Sequence, residues 1–213
     1  MTKKGPEGMN QSVAVWMKRM ADLVISICAI FLLSPVMLMA ALGIKLTSPG
    51  PVFFVQERVG KDGKKFRMLK FRSMRINDRE NTGWSTAGDP RRTFFGRFIR
   101  KTSIDELPQL FNVLAGQMSL VGPRPEMPYH VEHFQNEIPD YLLRLRMHPG
   151  MTGWAQIHGL RGDTSVEERV RYDLWYIEHW SLALDLKILA RTALGGFINR
   201  EELKNEKETA VNL

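Results

Sequence analysis

Asp105 and Glu106 stand side by side in residues 101–112, KTSIDELPQLFN, with Pro108 just behind them and Arg91, Arg92, Arg97, Arg100 and Lys101 just ahead. Two carboxylates beside so much positive charge suit phosphate chemistry. An ionised carboxylate can attack phosphorus, and a neighbouring hard oxygen ligand can hold magnesium, which usually takes one or two carboxylates plus substrate phosphates. Consecutive helical residues point about 100° apart, so within a helix the pair cannot act as twin acid and base on one atom. We therefore expect Asp105 at the N-cap of a helix, with Glu106 first and Pro108 third, where a missing N–H costs nothing. The alternative, Ser103 capping through Ser103-x-x-Glu106, moves Pro108 deeper, where it deletes a helical bond. Helix dipole and guanidinium groups should keep both acids ionised near neutrality. A plainer reading stands beside this one: acids in a first helical turn are ordinary, and the dipole rewards them.

The arginine supply matches phosphate chemistry. Arg100 lies five residues before Asp105, Arg124 sits between Pro123 and Pro125, and Arg161 occupies a glycine-flanked loop. Prolines on both sides reduce the entropy lost when Arg124 grips an anion. Taken singly, each arginine reads more readily as solvated surface charge. His130-x-x-His133 shares a helical face but has no cysteine pair or third ligand, so surface or capping roles are expected. There is no GxGxxG, Walker or GxSxG pattern.

These residues must be positioned by elements that the pattern partly reveals. Residues 52–59 (VFFVQERV) and 66–74 (FRMLKFRSM), joined by Gly60-Lys61-Asp62-Gly63, predict a β-hairpin. Residues 77–93 are polar and aperiodic, a loop able to cover a site. Residues 94–100 and 107–114 predict short helices, 120–125 (LVGPRP) neither regular element, 129–147 a helix, 148–153 a turn, and 166–194 a long helical pattern. Trp154 is expected in the core and Trp180 at a membrane interface.

The chain of 213 residues carries 30 Lys+Arg against 23 Asp+Glu, a formal +7, which calls for an anionic partner. Nucleic acid is disfavoured, because no basic recognition helix or stacking motif is present. The single cysteine, Cys28, excludes a disulfide framework and fits a reducing, cytosol-facing location. Residues 23–44, LVISICAIFLLSPVMLMAALGI, are 22 uncharged residues, long enough to cross a hydrocarbon core of roughly 30 Å. Ser34-Pro35 at the midpoint favours a kink or break. Lys and Arg on both flanks place both ends on the cytoplasmic side. A helix that enters, breaks at Ser34-Pro35 and returns to the same face satisfies both facts; a spanning helix is the next reading, and a buried core helix or cleaved signal the last.

Several blocks together resemble the bacterial sugar transferases, monotopic polyprenyl-phosphate phosphoglycosyl transferases. They are KRMADLVISICAIFLLSPVM, FRMLKFRSM, RKTSIDELPQLFNVLAGQMSLVGPRPE, HPGMTGWAQIHG and YIEHWSLALDLKIL, covering about residues 17–194. The resemblance implies an α+β, mostly helical fold. A polar segment (1–12) precedes a re-entrant membrane helix (13–47), then a small cytosolic catalytic domain (48–198) with a β-hairpin and amphipathic helices, then a charged tail (199–213). It implies that Asp105 attacks the sugar-bearing phosphorus of a UDP-sugar, releases UMP and holds a phosphosugar until polyprenyl (undecaprenyl) phosphate displaces it. That is the first membrane step of a surface glycan such as an exopolysaccharide, capsule, O-antigen or glycoprotein. Glu106 would help bind Mg2+. Arg100, Arg124 and Arg161 would contact phosphates, with Lys70 and Arg72 as further substrate contacts. The implied partners are the nucleotide sugar, the lipid phosphate and membrane lipid at the bacterial inner membrane, with the catalytic domain facing the cytosol; a homo-oligomer is compatible with this. After GWAQ the chain reads IHGLRGD, as in larger members with an extra membrane domain, so it is read as either a short form or the catalytic part of a longer protein. The rival reading is a non-catalytic basic module that docks on an anionic membrane surface.

Overall fold

The longest element is the one the hydropathy demands. In the computed structural model, which describes residues 11–75, 91–162 and 164–195, α1 (Gln11–Thr47) runs for 37 residues, about 55 Å at the α-helical rise. Ala14, Lys18, Asp22 and Ser26, then Met37, Ala40 and Ile44, are buried along it. Spacings of three and four put them on one face. The other side exposes Trp16, Val24, Ile27, Phe31, Leu32, Leu38, Met39, Leu42 and Leu46. The usual amphipathicity is inverted, with polar anchors inward and a broad apolar surface outward.

The N-terminal half of α1 is fastened by charge. Lys18 Nζ donates to Asp185 at 2.6 Å and to the Val121 carbonyl at 3.1 Å. Arg19 donates to the carbonyls of Val113 and Leu114, and Asp22 accepts from the Leu120 N–H. The C-terminal half is fastened by packing: Met37, Ala40 and Ile44 share a buried cluster with Phe71, Ile99 and Leu107. Both ends of α1 therefore contact the same domain.

The break expected at Ser34-Pro35 does not interrupt the helix, which is continuous through Pro35. Pro35 has no N–H to offer the carbonyl four residues back, which belongs to Phe31. The Ser34 hydroxyl donates to that carbonyl instead, at 2.8 Å. Serine next to proline thus supplies the donor that proline removes, as an apolar medium requires.

The expected hairpin is present. β1 (Phe53–Val59) pairs antiparallel with β2 (Lys65–Phe71), with Phe54 opposite Lys70 and Gln56 opposite Met68. Asp62 and Gly63 take positive φ in the turn. α2 (Phe94–Lys101) starts at Thr93, whose hydroxyl accepts from the Gly96 N–H. Residues 77–90 of the expected covering loop lie outside the described residues. A 3-10 turn (Ile104–Glu106) leads into α3 (Gln109–Leu114).

Three expectations are corrected. Residues 120–125 and 148–153 are not simply irregular: β3 (Ser119–Val121) and β4 (Gly150–Thr152) form a short parallel ladder. Glycine permits it, because a Cβ on Gly122 would lie 2.3 Å from the His148 carbonyl oxygen. The helix expected over 129–147 ends early: α4 spans Pro128–Glu137, and Pro139 disfavours helical geometry at Ile138. Tyr141–Arg146 then forms 3-10 turns, beginning after Asp140 in the left-handed region. Beyond α5 (Trp154–Ile157), the long helical pattern is two helices, α6 (Val166–Glu178) and α7 (Leu182–Leu194). Ser181 starts the second by accepting from the Leu184 N–H.

The main core joins Phe66 and Met68 of β2 to Leu110, Val113, Met118, Leu120, Tyr176 and Ile188. Trp154 packs against this core as expected. Trp180 does too, and its indole N–H donates to Asp185 at 3.1 Å, so it is part of the fastening of α1 and not a membrane-interface anchor.

Candidate active site

α2 ends at Lys101, and Ser103 reverses the chain with φ 54°. Ile104 and Leu107 then sink into the cluster that seats α1, and Pro108 is fully buried behind them. Held between two apolar anchors, Asp105 and Glu106 are turned together towards β2. Asp105 lies inside the 3-10 turn and is not the N-cap of α3; that position is Pro108, and Ser103 makes no side-chain cap either.

The two acids differ sharply. Glu106 Oε1 accepts from Lys70 Nζ at 2.7 Å and from Arg124 Nη2 at 2.8 Å. Burial alone would raise the Glu106 pKa, but Arg124 and Lys70 outweigh it and hold the carboxyl well below the usual range. Asp105, only 9% exposed, has no hydrogen-bond partner among the described residues. Burial pushes its pKa up to about 6, the negative charge of Glu106 adds to that, and Lys70, Arg100 and Arg124 oppose it. The expectation for Glu106 therefore stands. Asp105 is also ionised at neutral pH, as expected, but burial outweighs the cations and leaves it a poorly solvated carboxylate with a raised pKa.

Lys70 is the next-to-last residue of β2. Asn112 of α3 fixes that strand by accepting from the Leu69 N–H at 2.9 Å and donating to the Arg67 carbonyl at 2.8 Å. Arg124 comes from the loop after β3, and the way this loop is held is the most informative feature of the site. Four consecutive carbonyls are taken by four donors: Pro123 by Gly150 N–H at 2.9 Å, Arg124 by Arg144 Nη2 at 3.0 Å, Pro125 by Arg58 Nη1 at 3.1 Å, and Glu126 by Val59 N–H at 2.9 Å. Proline has no N–H to satisfy, so the segment presents mainly acceptors, and the surrounding elements converge on them.

Arg100 is close enough to act electrostatically on Asp105. Arg161 is half-buried between Gly159 and Gly162, both at positive φ. The Arg72 guanidinium donates to the carbonyls of Ser48 at 2.7 Å and Pro49 at 2.5 Å, tying the exit of α1 to β2. His130 is buried, and burial pushes its pKa down beside Glu126 and Arg58. It is not the surface residue expected; His133 is exposed and lies 3.5 Å from Glu137.

Sequence reasoning missed the support of the Arg124 loop. Arg169 donates to Glu126 at 3.0 Å, Arg58 lies 3.7 Å from the same carboxylate, and Arg144 pairs with Asp173 at 2.7 Å. The signal available was the glutamate directly after Pro-Arg-Pro; its partners are distant in sequence.

A magnesium ion can be tested against this donor set. Among the described residues no group of three or more His, Cys, Asp or Glu could hold a metal, so there is no protein cage. Glu106 Oε2 and the Asp105 carboxylate nevertheless take no hydrogen bond from described residues. Such an arrangement fits an ion that relies on one or two carboxylates and substrate phosphates.

A helix long and apolar enough to cross a membrane is seated on a small mixed domain, whose acid pair lies among lysine and arginine side chains. The chain belongs to the bacterial sugar transferase family, whose model matches residues 13–199. It is 48% identical over 190 residues to a UDP-glucose:undecaprenyl-phosphate glucose-1-phosphate transferase of Escherichia coli, covering 86% of this chain and 41% of that protein. It is 47% identical over 191 residues to a UDP-N-acetylgalactosamine-undecaprenyl-phosphate N-acetylgalactosaminephosphotransferase of Aeromonas hydrophila, covering 87% and 45%. A shorter relative, the exopolysaccharide production protein PSS of Rhizobium leguminosarum, is 42% identical over 187 residues, covering 84% and 94%. The chain thus spans about two fifths of the E. coli relative's length.

Proposed function

We propose that this protein transfers a sugar 1-phosphate from a UDP-sugar to undecaprenyl phosphate at the cytosolic face of the inner membrane, opening exopolysaccharide assembly. The observation that carries the reading is the contrast within the acid pair: Glu106 is locked by Lys70 and Arg124, while the Asp105 carboxylate beside it accepts no hydrogen bond from the described residues. An under-solvated carboxylate is the more reactive nucleophile of the two. An Asp105 oxygen attacks the sugar-bearing phosphorus, the bond from that phosphorus to the bridging oxygen breaks, and UMP leaves with the oxygen. An oxygen of the lipid phosphate then attacks the same phosphorus, the acyl phosphate bond breaks, and the Asp105 carboxylate is regenerated with undecaprenyl diphosphate sugar as product.

Arg100 and Arg124, with Arg161 from its loop, bind and orient the phosphates, and Lys70 holds Glu106 in place. Glu106, with Asp105 beside it, would hold Mg2+. That ion, when bound, neutralises diphosphate charge and assists departure of UMP.

Supporting the membrane placement, α1 is gripped at both ends by one domain, at Lys18, Arg19 and Asp22 and again at Met37, Ala40 and Ile44. A helix crossing the whole bilayer would carry one end about 30 Å away. We place α1 in one leaflet, bent about Pro35 so that it enters and leaves on the cytosolic side, with Phe31 and Leu32 deepest.

The test is incubation of the membrane-reconstituted protein with undecaprenyl phosphate, Mg2+ and a panel including UDP-glucose, UDP-galactose and UDP-N-acetylgalactosamine, reading released UMP. One sugar should give sustained UMP release that Asp105→Asn abolishes. Vesicle binding that salt reverses, with no UMP from any sugar, would instead support a non-catalytic membrane module.

A further inference from the structure

We infer that Arg144 and Asp173 are positioning residues for catalysis, acting by fixing the peptide plane from which Arg124 reaches Glu106. The inference rests on the proposed phosphoglycosyl transfer. Neither residue belongs to the phosphate-binding set described above, yet both are almost wholly buried, their side chains 2% and 3% exposed.

Their geometry is specific. Arg144 Nε and Nη2 both donate to Asp173 Oδ2, at 3.2 and 2.7 Å. Nη1 donates to the Tyr141 hydroxyl at 3.1 Å. Nη2 also donates to the Arg124 carbonyl at 3.0 Å. Every guanidinium nitrogen is therefore engaged, and one of these bonds ends on the backbone of the residue whose side chain grips Glu106 at 2.8 Å. The chain of contacts runs from α6 through the 3-10 turns to the Pro-Arg-Pro loop and on to the acid pair.

Stability is a poor explanation for this arrangement, since a buried ion pair is often no better than packed apolar residues of the same volume. Directional control is a better one. With proline on both sides, the loop has few donors of its own, so the orientation of the Arg124 carbonyl depends on a donor supplied from outside. Tilting that peptide swings the Arg124 side chain, and a displacement of 1 Å at a reacting centre costs about 100-fold in rate. Lysine cannot substitute, because a single ammonium cannot reproduce the planar fork that meets Asp173, Tyr141 and the carbonyl together.

The test is a double-mutant cycle on the membrane-reconstituted protein. UMP release is measured with radiolabelled UDP-glucose, UDP-galactose or UDP-N-acetylgalactosamine, whichever the wild type uses, plus undecaprenyl phosphate and Mg2+. Arg144→Lys should lower kcat by about 10- to 100-fold. In an Arg124→Ala background the same change should cost less than about twofold, because the group it positions is gone. Asp173→Asn, a milder change, should show the same dependence and serves if Arg144→Lys does not fold, with thermal melting recorded for each variant. Equal losses in both backgrounds would overturn the inference, as would a folded Arg144→Lys protein with wild-type kcat. A wild type that releases no UMP from any sugar would instead overturn the underlying reaction, and this inference with it.

Discussion

Lys70 and Glu106 meet at 2.7 Å, where a β-strand passes a 3-10 turn 36 residues further along the chain. Burial lowers the Lys70 pKa, and the negative charge of Glu106 works against that lowering. The contact joins the hairpin to the acid pair and fixes which oxygen of Glu106 remains open. Lys70→Ala leaves Arg124 as the remaining donor to Glu106 among the described residues and lets the carboxylate turn. We expect kcat for UMP release to fall about 100-fold, with the melting temperature little changed. Lys70→Arg should recover only part of the rate, because a planar fork replaces a point charge.

The raised pKa of Asp105 has a thermodynamic consequence. A group whose folded pKa lies above its unfolded value contributes stability at low pH and loses it as pH rises through the folded pKa. For Asp105, moved from 3.8 to about 6, the loss falls between about pH 4 and pH 7. Asp105→Asn removes the ionisation while keeping the shape. In metal-free buffer the variant should melt close to wild type at pH 4.5 and higher at pH 7.5, by an amount on the order of 2 kcal/mol. Melting curves at the two pH values check this; an equal difference at both would show that the carboxylate is well solvated in the folded protein.

The attachment of α1 rests on Asp185, which receives Lys18, the Tyr176 hydroxyl at 2.6 Å and the Trp180 indole. Lys18→Met leaves that buried carboxylate without its cation, a loss of about 3 kcal/mol and roughly 5–10 °C in melting temperature. Arg19→Ala removes a half-buried cation with two backbone contacts and should cost less. Thermal unfolding in one detergent compares the two.

Gly122→Ala tests the base of the Arg124 loop. Its Cβ would lie 2.3 Å from the His148 carbonyl oxygen and 3.0 Å from the Gly150 nitrogen. Backbone on both sides leaves little room to yield, so the β3–β4 ladder should open at a cost on the order of 2–3 kcal/mol. UMP release should fall more steeply than stability, since Pro123 and Arg124 follow directly. A stable variant with normal turnover would show that the ladder does not aim Arg124.

How much of this was legible in the sequence follows from the range of the interactions. The hairpin was readable because its alternation and its Gly60–Gly63 turn are local signals. α2 was readable from Phe95 and Ile99 opposing Arg97 and Arg100. β3 and β4 were not, because each is three residues long and their pairing is stabilised by a close glycine contact between distant segments. The division of α6 from α7 turns on one serine cap inside an uninterrupted apolar pattern. Within the site, Asp105, Glu106 and Arg124 could be named from their neighbours, whereas Arg72 could not be placed, since a strand residue's contacts depend on what packs over it. Arg144 and Asp173 gave no signal at all: each sits near other charges that do not single it out, and only the fold puts them together.

The central claim is that Asp105 forms a bond to phosphorus, and its most direct test omits the lipid acceptor. The protein is mixed with its UDP-sugar and Mg2+ alone, quenched, and examined by intact-mass and peptide mass spectrometry. The account predicts about one UMP released per active protein and a mass gain of one sugar phosphate, localised to the peptide carrying Asp105 and missing from Asp105→Asn. UMP that appears only after undecaprenyl phosphate is added, with no mass gain at any point, would contradict it and assign the attack to the lipid phosphate itself.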